Sequence, residues 1–152
     1  MVGFWSNVYD YKMSCMKSPV LVEASIEVVP EEKVISDSAL IKDLNLNTCN
    51  VEDTEFESDF VLKISKSGDI TAIAGYFDTI FDLPEKVVSF TTGPSGTPTH
   101  WKQTLFYLEE PLKVEEGQEL KGHIQVKRLK RDVRGLEIKL SIENQIQMYT
   151  LE

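Results

Sequence analysis

An all-β domain, an antiparallel β-barrel with an N-terminal helical arm, is what this 152-residue chain predicts. From Val20 onward, apolar and polar residues alternate in at least eight short runs divided by turn residues, the period of half-buried strands. Before Pro19 the apolar spacing is helical instead. The length matches the roughly 150 residues expected of one domain, and 41% hydrophobic with 27% charged residues is an ordinary globular balance. The expected division is therefore an arm over 1–19 and a barrel over 20–152, with one sizeable core.

In chain order, Trp5, Tyr9, Met13 and Met16 are spaced by four, four and three, one face of a helix that Ser6 or Asn7 caps and Pro19 stops. Phe4 and Val8 stand beside them, so six large apolar groups, each worth about 1.5–3 kcal/mol on burial, need a partner. That partner is either the chain's own barrel or another protein chain. Val22, Ala24, Ile26 and Val28 then point one way and Glu23, Ser25 and Glu27 the other, a strand ending at Pro30. Leu44, Leu46 and Thr48 alternate, as do Phe60, Leu62 and Ile64. Gly68 marks a turn within Ser65 to Asp69. Ile70 to Asp82 is almost continuously apolar or small, which predicts a long strand buried on both faces with a bulge or a close approach at Gly75. Such a strand, with no obvious pair of charged edges elsewhere, favours a barrel over a sandwich.

Val87 to Thr91 predicts a further short strand, and Gly93, Pro94, Gly96 and Pro98 give the strongest loop signal of the chain. Strand character resumes at Thr104 to Leu108, and the stretch after Pro111 through Glu119 reads as a turn-rich connection. Ile124 and Val126 lie on a strand; Leu136 to Ile142 alternates strictly; Glu143 to Gln145 turns; Ile146, Met148 and Thr150 alternate to the end.

Sixteen basic against 25 acidic residues leave a formal charge of −9, which argues against a nucleic-acid or anionic-membrane binder acting through net charge. No apolar run has the length of a membrane helix and no signal peptide is visible, so a cytoplasmic or nuclear location is expected, with Cys15 and Cys49 reduced. Neither cysteine has a CxxC partner, so no metal site is expected. No two of the eight glycines are one residue apart, which excludes a GxGxxG nucleotide loop; only His100 and His123 are available for a triad, and no serine stands in an elbow pattern. His123 is expected at the surface. His100 and Trp101, at the exit of the Gly/Pro loop, suit a pocket for a planar cation. Alternatively Trp101 plugs one end of the barrel and His100 is merely exposed. The run Lys127, Arg128, Lys130, Arg131 and Arg134 is read as a solvated hairpin turn rather than an anion site.

Two stretches carry a family resemblance. Thr99 to Thr104, THWKQT, resembles the Thr-His-Trp loop of type I protein arginine methyltransferases, and Asn7 to Cys15, NVYDYKMSC, resembles their dimerisation arm. Similarity extends through AIAGYFD at Ala72 to Asp78, TTGP at Thr91 to Pro94 and the later strands; LKGHIQV and the ending MYTLE resemble the subclass with an N-terminal zinc finger. In the arm, Asp10 and Tyr11 replace the usual Gly-Phe.

The resemblance implies a C-terminal barrel domain separated from a Rossmann-like domain that binds S-adenosylmethionine in the full-length enzyme. The family's glycine-rich cofactor loop and paired substrate glutamates have no matching positions, so the chain alone is expected to bind no cofactor and to be inactive. The resemblance makes His100 catalytic, through contact with an aspartate of the absent domain, and makes Thr99 and Trp101 substrate-binding residues of the arginine pocket. It makes Phe4, Trp5, Val8, Tyr9, Met13 and Met16 the arm that docks onto the second subunit of a homodimer. Arginine-containing, Gly/Arg-rich proteins are the implied substrates, and Glu52, Asp53, Glu55, Glu57 and Asp59 would suit their charge, although these five are read first as solvated surface. No direct nucleic-acid or membrane partner is implied. The alternative of another class is a non-enzymatic acidic β-barrel that binds other proteins.

Overall fold

The computed structural model describes residues 7–16, 21–132 and 134–151. Nine strands are named: β1 (Ser25–Glu27), β2 (Phe56–Lys63), β3 (Gly68–Gly75), β4 (Asp78–Leu83), β5 (Lys86–Thr91), β6 (Gln103–Val114), β7 (Glu119–Arg128), β8 (Leu136–Ile142) and β9 (Gln145–Leu151). They form a four-stranded sheet in the order β2-β7-β8-β9, a three-stranded sheet β1-β6-β3 and a separate β4-β5 hairpin, all antiparallel. The main core unites inward residues of the two larger sheets: Phe60, Leu120, Ile124, Ile138, Leu140, Ile142 and Tyr149 from one, Ile70, Phe106, Leu108 and Val114 from the other. Strict alternation makes this possible, because a period of two puts every second side chain on the same face. At the Phe60–Gly122 cross-strand pair a Cβ on residue 122 would enter the Phe60 ring, so glycine there lets the ring lie across the neighbouring strand.

Among the described residues the sheets do not close into a barrel, and side chains explain how the open seam is satisfied. Gln145 and Gln147 of β9 reach β6: the Glu109 and Glu110 amides donate to Gln147 Oε1 (2.9 Å) and Gln145 Oε1 (3.4 Å). The two amide groups donate back to the Glu110 (2.9 Å) and Tyr107 (3.1 Å) carbonyls, where a backbone ladder would otherwise run. Tyr149 adds a third tie, its hydroxyl donating to the Tyr107 carbonyl at 2.8 Å. One parallel bridge, Glu23 with Thr150, joins the segment before β1 to β9.

Several expectations are corrected. The helical arm is not seen in residues 7–16. Tyr9 and Asp10 have φ of 51° and 66°, and the Val8 and Tyr11 backbones bond each other at 2.9 and 3.0 Å, so two left-handed residues form a tight reversal no helix can contain. Asn7, expected as a helix cap, accepts the Asp10 amide with its side chain at 2.9 Å and stabilises this turn instead. A single 3₁₀ turn follows at Ser14–Met16. Tyr9 and Met16 are exposed and Val8 and Met13 half-buried; Phe4, Trp5 and Pro19 lie outside the described residues.

The long strand from Ile70 to Asp82 is two, β3 and β4, parted at Tyr76 and Phe77, and β4 is largely exposed rather than doubly buried. Leu44 to Thr48 is a loop, because the Asn45 carbonyl and side chain accept the amides of Asn47, Thr48 and Cys49. Pro111 does not end β6: the β3 register shifts between Ile70 and Ala72, so the proline sits in the irregularity, where its missing N–H breaks no ladder bond. The first strand shrinks to three residues, with Ala24 buried but Ile26 and Val28 exposed.

Candidate functional site

The loop between β5 and β6 spans residues 92–102 and carries the Thr-His-Trp sequence. Its glycines are required by close approach. A Cβ at Gly93 would stand 2.8 Å from the Tyr76 ring, and one at Gly96 2.5 Å from Thr91 Cγ2. The Gly96 amide donates to the Gly93 carbonyl at 3.1 Å, folding the loop back. A second turn follows, in which Lys102 takes a left-handed φ of 56° and donates its amide to Thr99 at 3.2 Å. His100 and Trp101 are the two central residues of this turn, and both are exposed.

Trp101 does not plug a barrel end. It packs on the outward hairpin, stacked on Phe90 (5.8 Å, 18°) and edge-on to Phe77 (5.6 Å, 77°), and remains 48% exposed. The His100 ring lies 3.9 Å from the indole, tilted by 35°, and is solvent-exposed. Among the described residues no hydrogen bond or ion pair reaches that imidazole, so both its nitrogens are open to a group from outside. The Thr99 hydroxyl is buried with no hydrogen-bond partner.

The acidic residues are less available than their number suggests. Glu55 accepts from the Arg128 Nε at 3.2 Å, Glu57 from Gln125 at 3.0 Å, and Asp59 meets His123 Nδ1 at 2.7 Å, all three directed at β7. Asp53 accepts the Asn50 amide at 2.8 Å at the start of a 3₁₀ turn. His123 is thus a surface partner of Asp59. No group of three metal-ligating side chains occurs among the described residues, and Cys15 and Cys49 are exposed and free. An open, mainly apolar cleft of about 480 Å³ lies on the β2–β7–β8 side, lined by Leu44, Val51, Phe56, Val126 and Leu136 with Thr54 and Arg128. The Thr54 hydroxyl there donates to the Val51 carbonyl at 2.6 Å.

What the linear sequence left out of the site are Phe77 and Phe90, the platform of Trp101, and Thr92 and Gln103, the buried polar residues at the two ends of the loop. The TTGP run was the available signal for Thr92 and THWKQT the signal for Gln103, though neither spacing says that the two residues meet.

Residues 1–147 match the model of the arginine methyltransferase oligomerization subdomain. The chain belongs to the protein arginine methyltransferase family. It corresponds to the C-terminal domain of the type I members, as the resemblance implied. Protein arginine N-methyltransferase 1.1 of Arabidopsis thaliana is 35% identical over 140 residues, covering 92% of this chain and 36% of that protein. Protein arginine N-methyltransferase 1 of Caenorhabditis elegans is 35% identical over 142 residues, covering 93% and 41%. Among solved structures, the Trypanosoma brucei PRMT1 enzyme-prozyme heterotetrameric complex with AdoHcy superposes with a TM-score of 0.92 at 26% identity, over 99% of this chain and 50% of that one. Arabidopsis thaliana protein arginine methyltransferase 10 shares the fold, with a TM-score of 0.82 at 22% identity. The chain spans about two-fifths of the curated relatives and half of these structural ones.

Proposed function

We propose that this chain is the substrate-side domain of a protein arginine methyltransferase that transfers methyl from S-adenosylmethionine to the guanidinium of protein arginines. The observation that carries the proposal is the exposed His100–Trp101 pair, held against Phe77 and Phe90 on an outward turn. An indole fixed in plane by two phenyl rings gives a guanidinium a flat wall with a favourable quadrupole. A guanidinium that gains a methyl group must lose a proton, and an imidazole with both nitrogens open is suited to pair with a carboxylate from a facing domain and to accept or relay that proton. Thr99, whose carbonyl accepts the Lys102 amide and closes the turn under both rings, completes the substrate wall.

The loop residues do not themselves make a bed for S-adenosylmethionine. Both rings stand on an exposed turn, and among the described residues no hydrogen bond or ion pair joins a carboxylate to His100. Cofactor binding and turnover therefore belong to a complete enzyme in which a further domain faces this loop, and the 152-residue chain alone is inactive. Phe4, Trp5, Val8, Tyr9, Met13 and Met16 serve as the arm to a second subunit, and within residues 7–16 that arm is built on a turn rather than a helix. The AdoHcy and the heterotetramer named for the Trypanosoma brucei relative support both readings. Gly/Arg-rich proteins are the proposed substrates. The segments LKGHIQV and MYTLE point to the zinc-finger member, protein arginine methyltransferase 3, as the subtype.

The test is kinetic. In the complete enzyme, His100→Ala lowers kcat by roughly a hundredfold, the scale of one positioned acid–base group, with little change in cofactor affinity. Turnover within twofold of wild type overturns the role of His100, and micromolar S-adenosylmethionine binding by the isolated chain overturns the division of labour.

A further inference from the structure

Thr92 and Gln103, only 1% and 3% exposed, are the two buried residues outside the hydrophobic core that carry a polar side chain among the described residues, and they stand at the two ends of the loop that carries His100 and Trp101. Burying a polar group is costly unless each donor and acceptor is met, and here the main ones are. Gln103 Nε2 donates to the Thr92 carbonyl and closes the neck of the loop. Its Oε1 accepts the Val29 amide at 2.7 Å, tying the neck to the segment after β1. The Thr92 hydroxyl accepts the Phe77 amide at 3.0 Å and donates to the Phe77 carbonyl at 2.9 Å, while the Thr92 amide donates to that same carbonyl at 3.0 Å.

Phe77 is the residue whose ring meets Trp101 edge-on. One network therefore fixes both the base of the loop and the platform on which the indole rests. We propose that Gln103 and Thr92 are positioning residues for the transfer, holding His100 and Trp101 at the place and angle the guanidinium requires. The choice of side chains follows. Only a neutral amide both donates to a carbonyl and accepts from an amide at the same reach; a carboxylate would face the Thr92 carbonyl with no proton, and a leucine would leave that carbonyl and the Val29 amide unmet. A β-hydroxyl does the same for Phe77, accepting and donating at once.

The inference rests on the reading of the His100–Trp101 loop as the reaction site, and two readouts separate the two ideas. In the 152-residue chain carrying Trp5→Phe, Trp101 is the sole tryptophan and its emission reports the loop directly. Thr92→Val and Gln103→Leu, checked as folded by cooperative unfolding, red-shift that emission and raise its quenching by acrylamide, whereas Thr92→Ser, which keeps the hydroxyl, restores the wild-type signal. In the complete enzyme the same two variants lower kcat by roughly tenfold to a hundredfold, the scale expected when reacting groups are misplaced by about 1 Å, with the KM for S-adenosylmethionine within twofold. Unchanged Trp101 emission in folded Thr92→Val overturns the proposal. A loosened Trp101 with unchanged turnover overturns the positioning role, and unchanged turnover in His100→Ala as well overturns the loop as the reaction site. Thr92→Val is close to isosteric and decides alone if Gln103→Leu does not fold.

Discussion

Removing the Tyr149 side chain should unfasten the seam between the two larger sheets, and removing only its hydroxyl should not. Tyr149 is fully buried; its ring meets Phe106 edge-on at 5.1 Å and its hydroxyl donates to the Tyr107 carbonyl. That carbonyl also accepts Gln147 Nε2, so in Tyr149→Phe the acceptor keeps a partner and the loss is a single hydrogen bond, about 1 kcal/mol. Tyr149→Ala deletes the ring from a packed core and should cost about 3–5 kcal/mol. For a domain of this size each kcal/mol moves the thermal midpoint by about 2–4 °C, giving roughly 2–4 °C for phenylalanine and roughly 6–20 °C for alanine. Urea and thermal unfolding followed by circular dichroism measure both. The shared acceptor makes a sharper demand: in a Gln147→Ala background, Tyr149→Phe leaves the Tyr107 carbonyl with neither side-chain partner and should cost more than it does in the wild type, by about 1 kcal/mol or more. Strict additivity, or a phenylalanine variant as damaged as the alanine one, would refute the account of the seam.

Alkaline pH tests the same region. Burial pushes the Tyr149 phenol from 10.0 up to about 12, and burial followed by the hydrogen bond and charge of Glu27 raises Tyr107. The unfolded chain ionises these phenols first, so stability is complete below pH 10 and falls as pH rises toward about 12; urea midpoints should show this, with a shallower fall in Tyr149→Phe. Gly122→Ala places a methyl group into the Phe60 ring and should cost about 1–3 kcal/mol by overpacking, and replacing Phe60 with leucine should recover part of it; additive denaturation energies would discount the contact. Deleting residues 1–18 should leave cooperative unfolding with the midpoint moved by a few degrees, since the hydrogen bonds of residues 7–16 run within that segment. A truncated chain that failed to fold would make the arm part of the core.

Strand existence was legible wherever alternation ran without interruption. Leu136 to Ile142 is β8 residue for residue, and the Gly/Pro cluster at 93–98 is the loop that carries the site, because both signals are local: a side-chain period of two and the φ/ψ limits of glycine and proline. THWKQT and NVYDYKMSC were specific enough to place the chain in its family before any fold was known. Faces were another matter. Ile146 and Met148 mark β9 as a strand, yet Tyr149 and not they enters the core, with Ile146 65% exposed, because the odd positions of β9 face β6. Spacing suggested a helix at Tyr9 to Met13, but a reversal closed by Asn7 competes locally and wins. The open seam in place of a closed barrel, the division of Ile70 to Asp82, and the clasp of Thr92 and Gln103 around the His100–Trp101 loop depend on residues that meet only after the chain has folded. A hydrogen bond between the two ends of an eleven-residue loop, or a glutamine of β9 standing in for a ladder bond of β6, leaves no period in the sequence, and tertiary structure alone decides it.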